Sequence, residues 1–199
     1  MIIYGASGHG KVIHDILKSQ GISEEILFVD DADKGENFYG CQLLKPHEAN
    51  FAEHKVLIGI GNNLIRKKIS INYSHYALGI HPSSVISPSV KIEEGSVVMP
   101  NVSINADTKI GKHCILNTAC SIDHDCVLED FVHISPNASL AGNVKVGQGT
   151  HIGIGASVIQ GIKIGKFATV GAGSVVIHDV PDGATVVGSP AKMIKTLTL

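Results

Sequence analysis

The chain contains no tryptophan, and aromatic residues of every kind make up only 5% of its 199 residues. An interior built around large rings is therefore excluded, and the abundance of glycine (22 residues) and small aliphatics points to a narrow, regularly stacked core. Neither sign of charge dominates: 16 Lys+Arg stand against 18 Asp+Glu, a formal net charge of −2. That balance argues against nucleic acid or an anionic membrane as partner. No apolar run approaches the roughly 18 residues a membrane span requires, and the opening MIIYGASGHG lacks the charged and apolar regions of a signal peptide. A cytoplasmic protein without membrane insertion is the expectation. Cysteine is also sparse, at four. Cys114, Cys120 and Cys126 are spaced by six, which fits neither a zinc ribbon nor a CxxC redox pair. The length allows one large domain or two small ones with a real core.

A six-residue repeat fills most of the chain. Every sixth residue from Ile80 to Val176 is Ile, Leu or Val, seventeen positions without exception. From Ser84 on, the residue two before each aliphatic is nearly always small or β-branched, among them Ser96, Thr108, Cys114, Cys120, Cys126, Ala138, Val144 and Thr150. An offset of two places both positions on one face of a strand, and a period of six cannot map onto a helix of 3.6 residues per turn. Short strands separated by turns at this period describe a parallel β-helix, with the cysteines as small buried residues in the inward slot. Glycines after the aliphatic position (Gly111, Gly147, Gly153, Gly165, Gly171) are expected to turn the chain. His113, His124, His133, His151 and His178 lie off the inward positions and read as solvent-exposed.

Residues 1–80 follow a different pattern. A strand at Ile2-Ile3-Tyr4 runs into Gly5-Ala6-Ser7-Gly8-His9-Gly10 and a helix with apolar Val12, Ile13, Ile16 and Leu17. A second strand ends in Asp30-Asp31. A third, Val56 to Ile60, ends in Gly61-Asn62-Asn63 before a basic helix with Arg66, Lys67 and Lys68. Strand, glycine-rich turn, helix, strand and acid make half of a Rossmann nucleotide-binding pattern, with a helix N-terminus for phosphate and an acid for ribose. The G-x-x-G-x-G spacing departs from the dinucleotide fingerprint, so a complete NAD site is not expected.

Together, Tyr4-Gly5-Ala6-Ser7-Gly8-His9-Gly10, Ile60-Gly61-Asn62-Asn63, the hexapeptide repeat and Gly188-Ser189-Pro190-Ala191-Lys192 resemble the hexapeptide-repeat sugar acetyltransferases of bacteria. These are the enzymes related to sialic-acid O-acetyltransferase and to the PglD-like N-acetyltransferase that acts on UDP-4-amino sugars in the bacillosamine pathway. The resemblance covers essentially the whole chain. It implies an α/β Rossmann-like subdomain at 1–80 followed by a left-handed β-helix at 81–199, with three hexapeptides per turn and five to six coils. It also implies a homotrimer with sites between subunits, acetyl-CoA as co-substrate, a UDP-amino sugar as acceptor and no metal. By the same resemblance Gly8, His9 and Gly10 approach the nucleotide, Asp30 and Asp31 contact ribose or base, and Asn62 and Asn117 bind substrate. The resemblance also implies that His133 contacts the thioester or carbonyl of acetyl-CoA; Lys192 and Lys195, following Pro190, are the cations expected near its phosphates.

Acetyl transfer to an amine needs a base, donors for an oxyanion and a slot for pantetheine. His124 stands between Asp123 and Asp125, and a nearby carboxylate fixes a histidine's tautomer and raises its basicity. The segment also resembles the family's catalytic His–acid step, which implies His124 as base and Asp125 as its orienting acid, with Asp123 as substitute; neighbours on a strand point apart, so the pair needs a local turn. Gly142 lies eighteen residues beyond His124, one coil on, where a missing side chain leaves its N–H free as an oxyanion donor. His151 stacks on His133 by the same spacing. Gly153-Ile154-Gly155 and Gly171-Ala172-Gly173 offer little side-chain bulk, as a pantetheine slot requires. Three other readings stay open: O-acetylation of a sialic-acid-like sugar, a γ-type carbonic anhydrase with zinc on His124, His133 and His151, and a non-catalytic trimeric scaffold.

Overall fold

The computed structural model describes residues 1–196. Five parallel and antiparallel strands form the first sheet: β1 (Ile2–Tyr4), β2 (Leu27–Val29), β3 (Asn37–Phe38), β4 (Cys41–Leu44) and β5 (Val56–Ile58), in the order β3-β4-β2-β1-β5. β1, β2 and β5 are buried throughout, as parallel strands covered on both faces must be. Helix α1 (Gly8–Ser19) starts at Ser7, whose Oγ accepts from Gly10 N, and buries Ile13, Ile16 and Leu17. Helix α2 (Asn63–Ser70) starts at Asn62, whose side chain accepts from Ile65 N. The β3–β4 hairpin leaves no mark in the hydrophobic pattern, because its strands are short and mostly half-buried or exposed.

From Gly79 to Val176 the chain is a left-handed parallel β-helix. Two-residue strands pair with strands eighteen residues away in three sheets, as in Ser103↔Ser121↔Ser139, Lys109↔Val127↔Lys145 and Ile115↔His133↔His151. From Val98 to Val176 every sixth residue is buried, and each such side chain contributes on the order of 1.5–3 kcal/mol by leaving water. Ile80, Ile86 and Ile92 are only half-buried because they line the open first coil. Part of that end is closed by the first domain: Gly79 packs against Leu57 and Ile16, and one continuous core joins Ile13, Ile16 and Leu57 to Val97 and Val98. Sheet pairing continues past Val176. Thr185 pairs with Thr169, sixteen residues back rather than eighteen, so the period breaks, and Ala184–Val187 is followed by the antiparallel strand Lys192–Thr196.

Two details of the repeat differ from the expectation. From Val98 to Val146 the chain turns at a left-handed residue three positions after each aliphatic: Asn101, Asp107, His113, Ala119, Asp125, Phe131, Asn137, Asn143 and Gly149 all have φ between 54° and 70°. The glycines directly after the aliphatic do not turn it; a Cβ on Gly153 would meet Val170 O at 2.6 Å, and one on Gly147 would meet Lys166 N at 2.6 Å. They are glycine because the next coil's backbone occupies that space. The small inward slot also carries hydrogen bonds. Thr108 Oγ1 donates to Asp123 O and accepts from Cys126 N, and Cys126 Sγ in turn donates to Ala141 O. The thiols thus act like the hydroxyls of the same column, and burial pushes the Cys114 and Cys120 thiols up to about 12, well out of nucleophilic range.

Candidate active site

His124 and Asp125 sit at the β-helix corner between strand Ser121–Ile122 and strand Val127–Leu128. Asp125 takes the left-handed turn conformation (φ 58°), which swings its carboxylate to the same side as the neighbouring ring. Asp125 Oδ2 lies 2.8 Å from His124 Nδ1. Asp123 is used otherwise: its Oδ1 accepts from His124 N and from Asn105 Nδ2, both at 2.8 Å. The hydrogen bond to Asp125 and the charge of Asp123 push the His124 imidazole above its ordinary value. Nδ1–H faces Asp125, so Nε2 carries the free lone pair. Gly142 lies against this ring, and a Cβ there would be 2.7 Å from Cε1 and 2.8 Å from Nε2. Among the described residues the Gly142 N–H has no hydrogen-bond partner.

His133 and His151 occupy a different face, the outer side of the β-helix sheet that carries the Ile115↔His133↔His151 ladder. Their rings stack with centroids 4.7 Å apart and 16° between planes. Asn117 Nδ2 lies 3.1 Å from His133 Nε2, and Ser135 Oγ lies 2.7 Å from His151 Nε2. Burial first, then His151, Arg66 and His9, hold His133 down to about 3, and burial with Arg66 lowers His151. Both rings are therefore neutral near pH 7. They line a cleft of about 720 Å³ with Asn62, Asn63, Gly149 and Phe167, at the seam between the two domains. The cleft does not include His124, so one chain does not bring the two groups of predicted residues together. Among the described residues no group of three or more His, Cys, Asp or Glu is gathered as a metal site.

In the first domain, Gly8 has open space around it, whereas Gly10 is buried and a Cβ there would collide with Gly5 O. Gly10 thus serves the close approach of α1 to the strand turn. His9 Nε2 is buried without a hydrogen-bond partner among the described residues, and burial with the Arg66 charge lowers His9 to about 4. Asp30 accepts from Ala6 N, Ala32 N and Lys34 Nζ, which lower its carboxyl against the effect of burial and fold the glycine-rich loop onto β2. Asp31 accepts from Tyr4 OH at 2.7 Å. Asn62 is spent in part on capping α2.

The four glycines expected to leave room for pantetheine differ in their surroundings. Space above Gly153 and Gly171 is filled, by Val170 O and by Val187, while Gly155 and Gly173 are open and Ile154 and Ala172 are exposed. Lys192 is exposed on the terminal strand. His113 departs from the expectation of a solvated ring, at 4% exposure: it stacks on Phe131 and meets Tyr76 edge-on, because the first domain covers that corner. Arg66 reads in the sequence as one charge of a basic helix, yet it is 1% exposed. No sequence signal marks it, since its burial depends on contacts across the seam.

Residues 1–73 match the family model of the PglD N-terminal domain. Over 103 residues, 47% of this chain, the sequence is 38% identical to UDP-N-acetylbacillosamine N-acetyltransferase of Bacillus subtilis (strain 168), and the match spans about half (48%) of that relative's length. Solved structures match along nearly the whole chain. PerB from Caulobacter crescentus, in complex with CoA and GDP-perosamine, is 38% identical with a TM-score of 0.90, over 98% of this chain and 96% of that one. The acetyltransferase domain of PglB from Neisseria gonorrhoeae FA1090, in complex with acetyl coenzyme A, is 38% identical with a TM-score of 0.92, over 97% and 98%. WeeI from Acinetobacter baumannii AYE is 33% identical with a TM-score of 0.91, over 97% and 98%.

Proposed function

The chain belongs to the PglD-like, acetyl-CoA-dependent sugar N-acetyltransferases, and from that premise we propose that it acetylates the 4-amino group of a UDP-4-amino-4,6-dideoxy sugar with His124 as general base. The observation that carries the mechanism is the His124–Asp125 contact of 2.8 Å, which leaves Nε2 unprotonated beside the free N–H of Gly142. The acceptor amine attacks the thioester carbonyl while Nε2 takes the amine proton. Gly142 N–H donates to the oxygen that becomes negative. The carbon–sulfur bond then breaks, the amide forms, and the proton on His124 passes to the departing thiolate. A thioester is already activated, so no covalent enzyme intermediate is needed.

In this reading residues 1–80 hold the nucleotide sugar, with Gly8, His9, Asp30 and Asp31 about the nucleotide and Asn62 and Asn117 toward the sugar. Residues 81–199 carry the transfer, with acetyl-CoA along the coils near Ile154 and Ala172 and Lys192 toward its phosphates. Since His124 and the His133 cleft lie on different faces of one chain, we place the working site between subunits of a homotrimer. No helix of the described residues is long and apolar enough to cross a membrane, and a cytoplasmic setting suits a nucleotide-sugar acceptor. The test is thiol release from acetyl-CoA against a panel of UDP- and GDP-linked 4-amino sugars and free sialic acids. Turnover is expected with UDP-4-amino sugars; turnover confined to GDP-linked sugars would overturn the nucleotide assignment, and turnover confined to sialic acids would overturn N-acetylation.

A further inference from the structure

Arg66 is the largest fully buried side chain among the described residues, and none of its partners is a carboxylate. Its Nε donates to His113 O at 2.9 Å, Nη1 to Ile60 O at 3.0 Å and Gly61 O at 3.2 Å, and Nη2 to Asn63 Oδ1 at 2.7 Å and Phe131 O at 3.0 Å. All five guanidinium N–H groups are used. Two of the acceptors belong to β-helix corners, and three belong to the loop and first residue of α2, of which Gly61 and Asn63 line the cleft. Asn63 extends the same link, its Nδ2 donating to Gly149 O and Thr150 O.

We infer that Arg66 is a positioning residue for acceptor binding: it pins the Gly61–Asn63 loop to the carbonyls of His113 and Phe131 and so fixes the cleft wall opposite His133. A buried cation without a counter-ion is costly, and a fold that needed only a helix anchor would be served by an apolar side chain. Here the planar fork meets five acceptors that a lysine, with three donors on a flexible stem, cannot all reach. The uncompensated charge has a second consequence. The groups facing His133 are the stacked His151, His9 from α1 and Arg66 from α2, and no carboxylate is among the influences on it. The cleft therefore holds neutral imidazoles beside a fixed positive charge, a setting that favours an anionic acceptor such as a nucleoside diphosphate.

The kinetic arm of this inference rests on the acetyl transfer proposed above; the spectroscopic arm does not. Arg66→Lys keeps the charge and breaks the fork, while Arg66→Met removes both. In Arg66→Lys the acceptor KM is expected to rise about tenfold, the loss of one to two buried hydrogen bonds, with kcat and the acetyl-CoA KM nearly unchanged. Amide exchange at Asn62 and Asn63 is expected to quicken, and the His133 titration midpoint, followed by imidazole NMR and assigned with His133→Gln, is expected to stay low. In Arg66→Met that midpoint is expected to rise. A folded Arg66→Lys with parental acceptor KM and parental exchange at Asn62 and Asn63 would overturn the inference, and it decides the matter even where Arg66→Met does not fold. Altered exchange in a protein that transfers no acetyl group to any sugar would instead count against the proposed function alone.

Discussion

The His124 ring occupies the space that a side chain on Gly142 would need, since a methyl group there would stand only 2.7 Å from Cε1 and 2.8 Å from Nε2. The backbone of Gly142 is not in the left-handed region, so alanine is tolerated there except for this one contact. Gly142→Ala keeps the backbone N–H but is expected to displace the ring and lower kcat by about 10- to 100-fold, the order of cost of a misplaced catalytic group. The melting temperature should stay close to that of the parent, because an exposed ring can move. Loss of folding in Gly142→Ala would show that the glycine serves the coil and not the histidine.

The tie between His124 and Asp125 predicts a pH profile. Since Asp125 and Asp123 raise the imidazole above its ordinary value of about 6.5, kcat/KM should climb with pH through a midpoint above that value. Asp125→Asn removes the larger of the two influences, so the midpoint should move down and the plateau should fall. His124→Ala should lower kcat by about 10²- to 10⁴-fold, the usual share of general acid–base catalysis. A rising limb that keeps its midpoint in Asp125→Asn would assign it to another group.

A site shared between subunits predicts complementation. His124→Ala and His133→Ala should each be poorly active as pure proteins. Mixed trimers of the two should regain activity, since some interfaces then combine an intact His124 with an intact His133 from different chains. Absence of any gain after verified subunit exchange would place both residues in one chain's site.

Stability should fall in mild acid. Burial holds His9 and His113 at about 4 and His133 at about 3, whereas an unfolded histidine titrates near 6.5. Below that pH the unfolded chain takes up protons that the folded chain refuses, so stability drains as pH falls from about 6.5 to about 4. His113 Nδ1 has no hydrogen-bond partner among the described residues, and its ring lies between Phe131 and Tyr76. His113→Phe should therefore fold and melt with a shallower loss over that window in thermal scans from pH 7 to pH 4. An unchanged slope would show that His113 takes no part in the acid sensitivity.

Much of this molecule can be read from its residues because a six-residue period repeats one local decision many times. The inward aliphatics, the small slot, the stacking of His133 on His151 and the approach of Gly142 to His124 all follow from that period. The turn that joins His124 to Asp125 is required by alternation and is supplied by a left-handed corner residue. What cannot be read lies where contacts cross between units. The burial of Arg66 and His113 depends on the first domain docking onto two coil corners, and a periodic sequence carries no mark of such docking. The glycines after each aliphatic mislead for a related reason: close approach of the next coil and a turn both select glycine, and the sequence does not separate the two. The end of the helix is hidden by the shift from eighteen to sixteen residues after Thr169.

Whether the acetyl group ends on nitrogen is decided by the chemistry of the product. Incubation with acetyl-CoA and a UDP-4-amino-4,6-dideoxy sugar should yield a nucleotide sugar heavier by one acetyl group, with the added carbonyl bonded to the C4 nitrogen by NMR and stable to mild alkali, as an amide is. A product that loses its acetyl group in mild alkali would be an ester, and N-acetylation by this protein would be refuted.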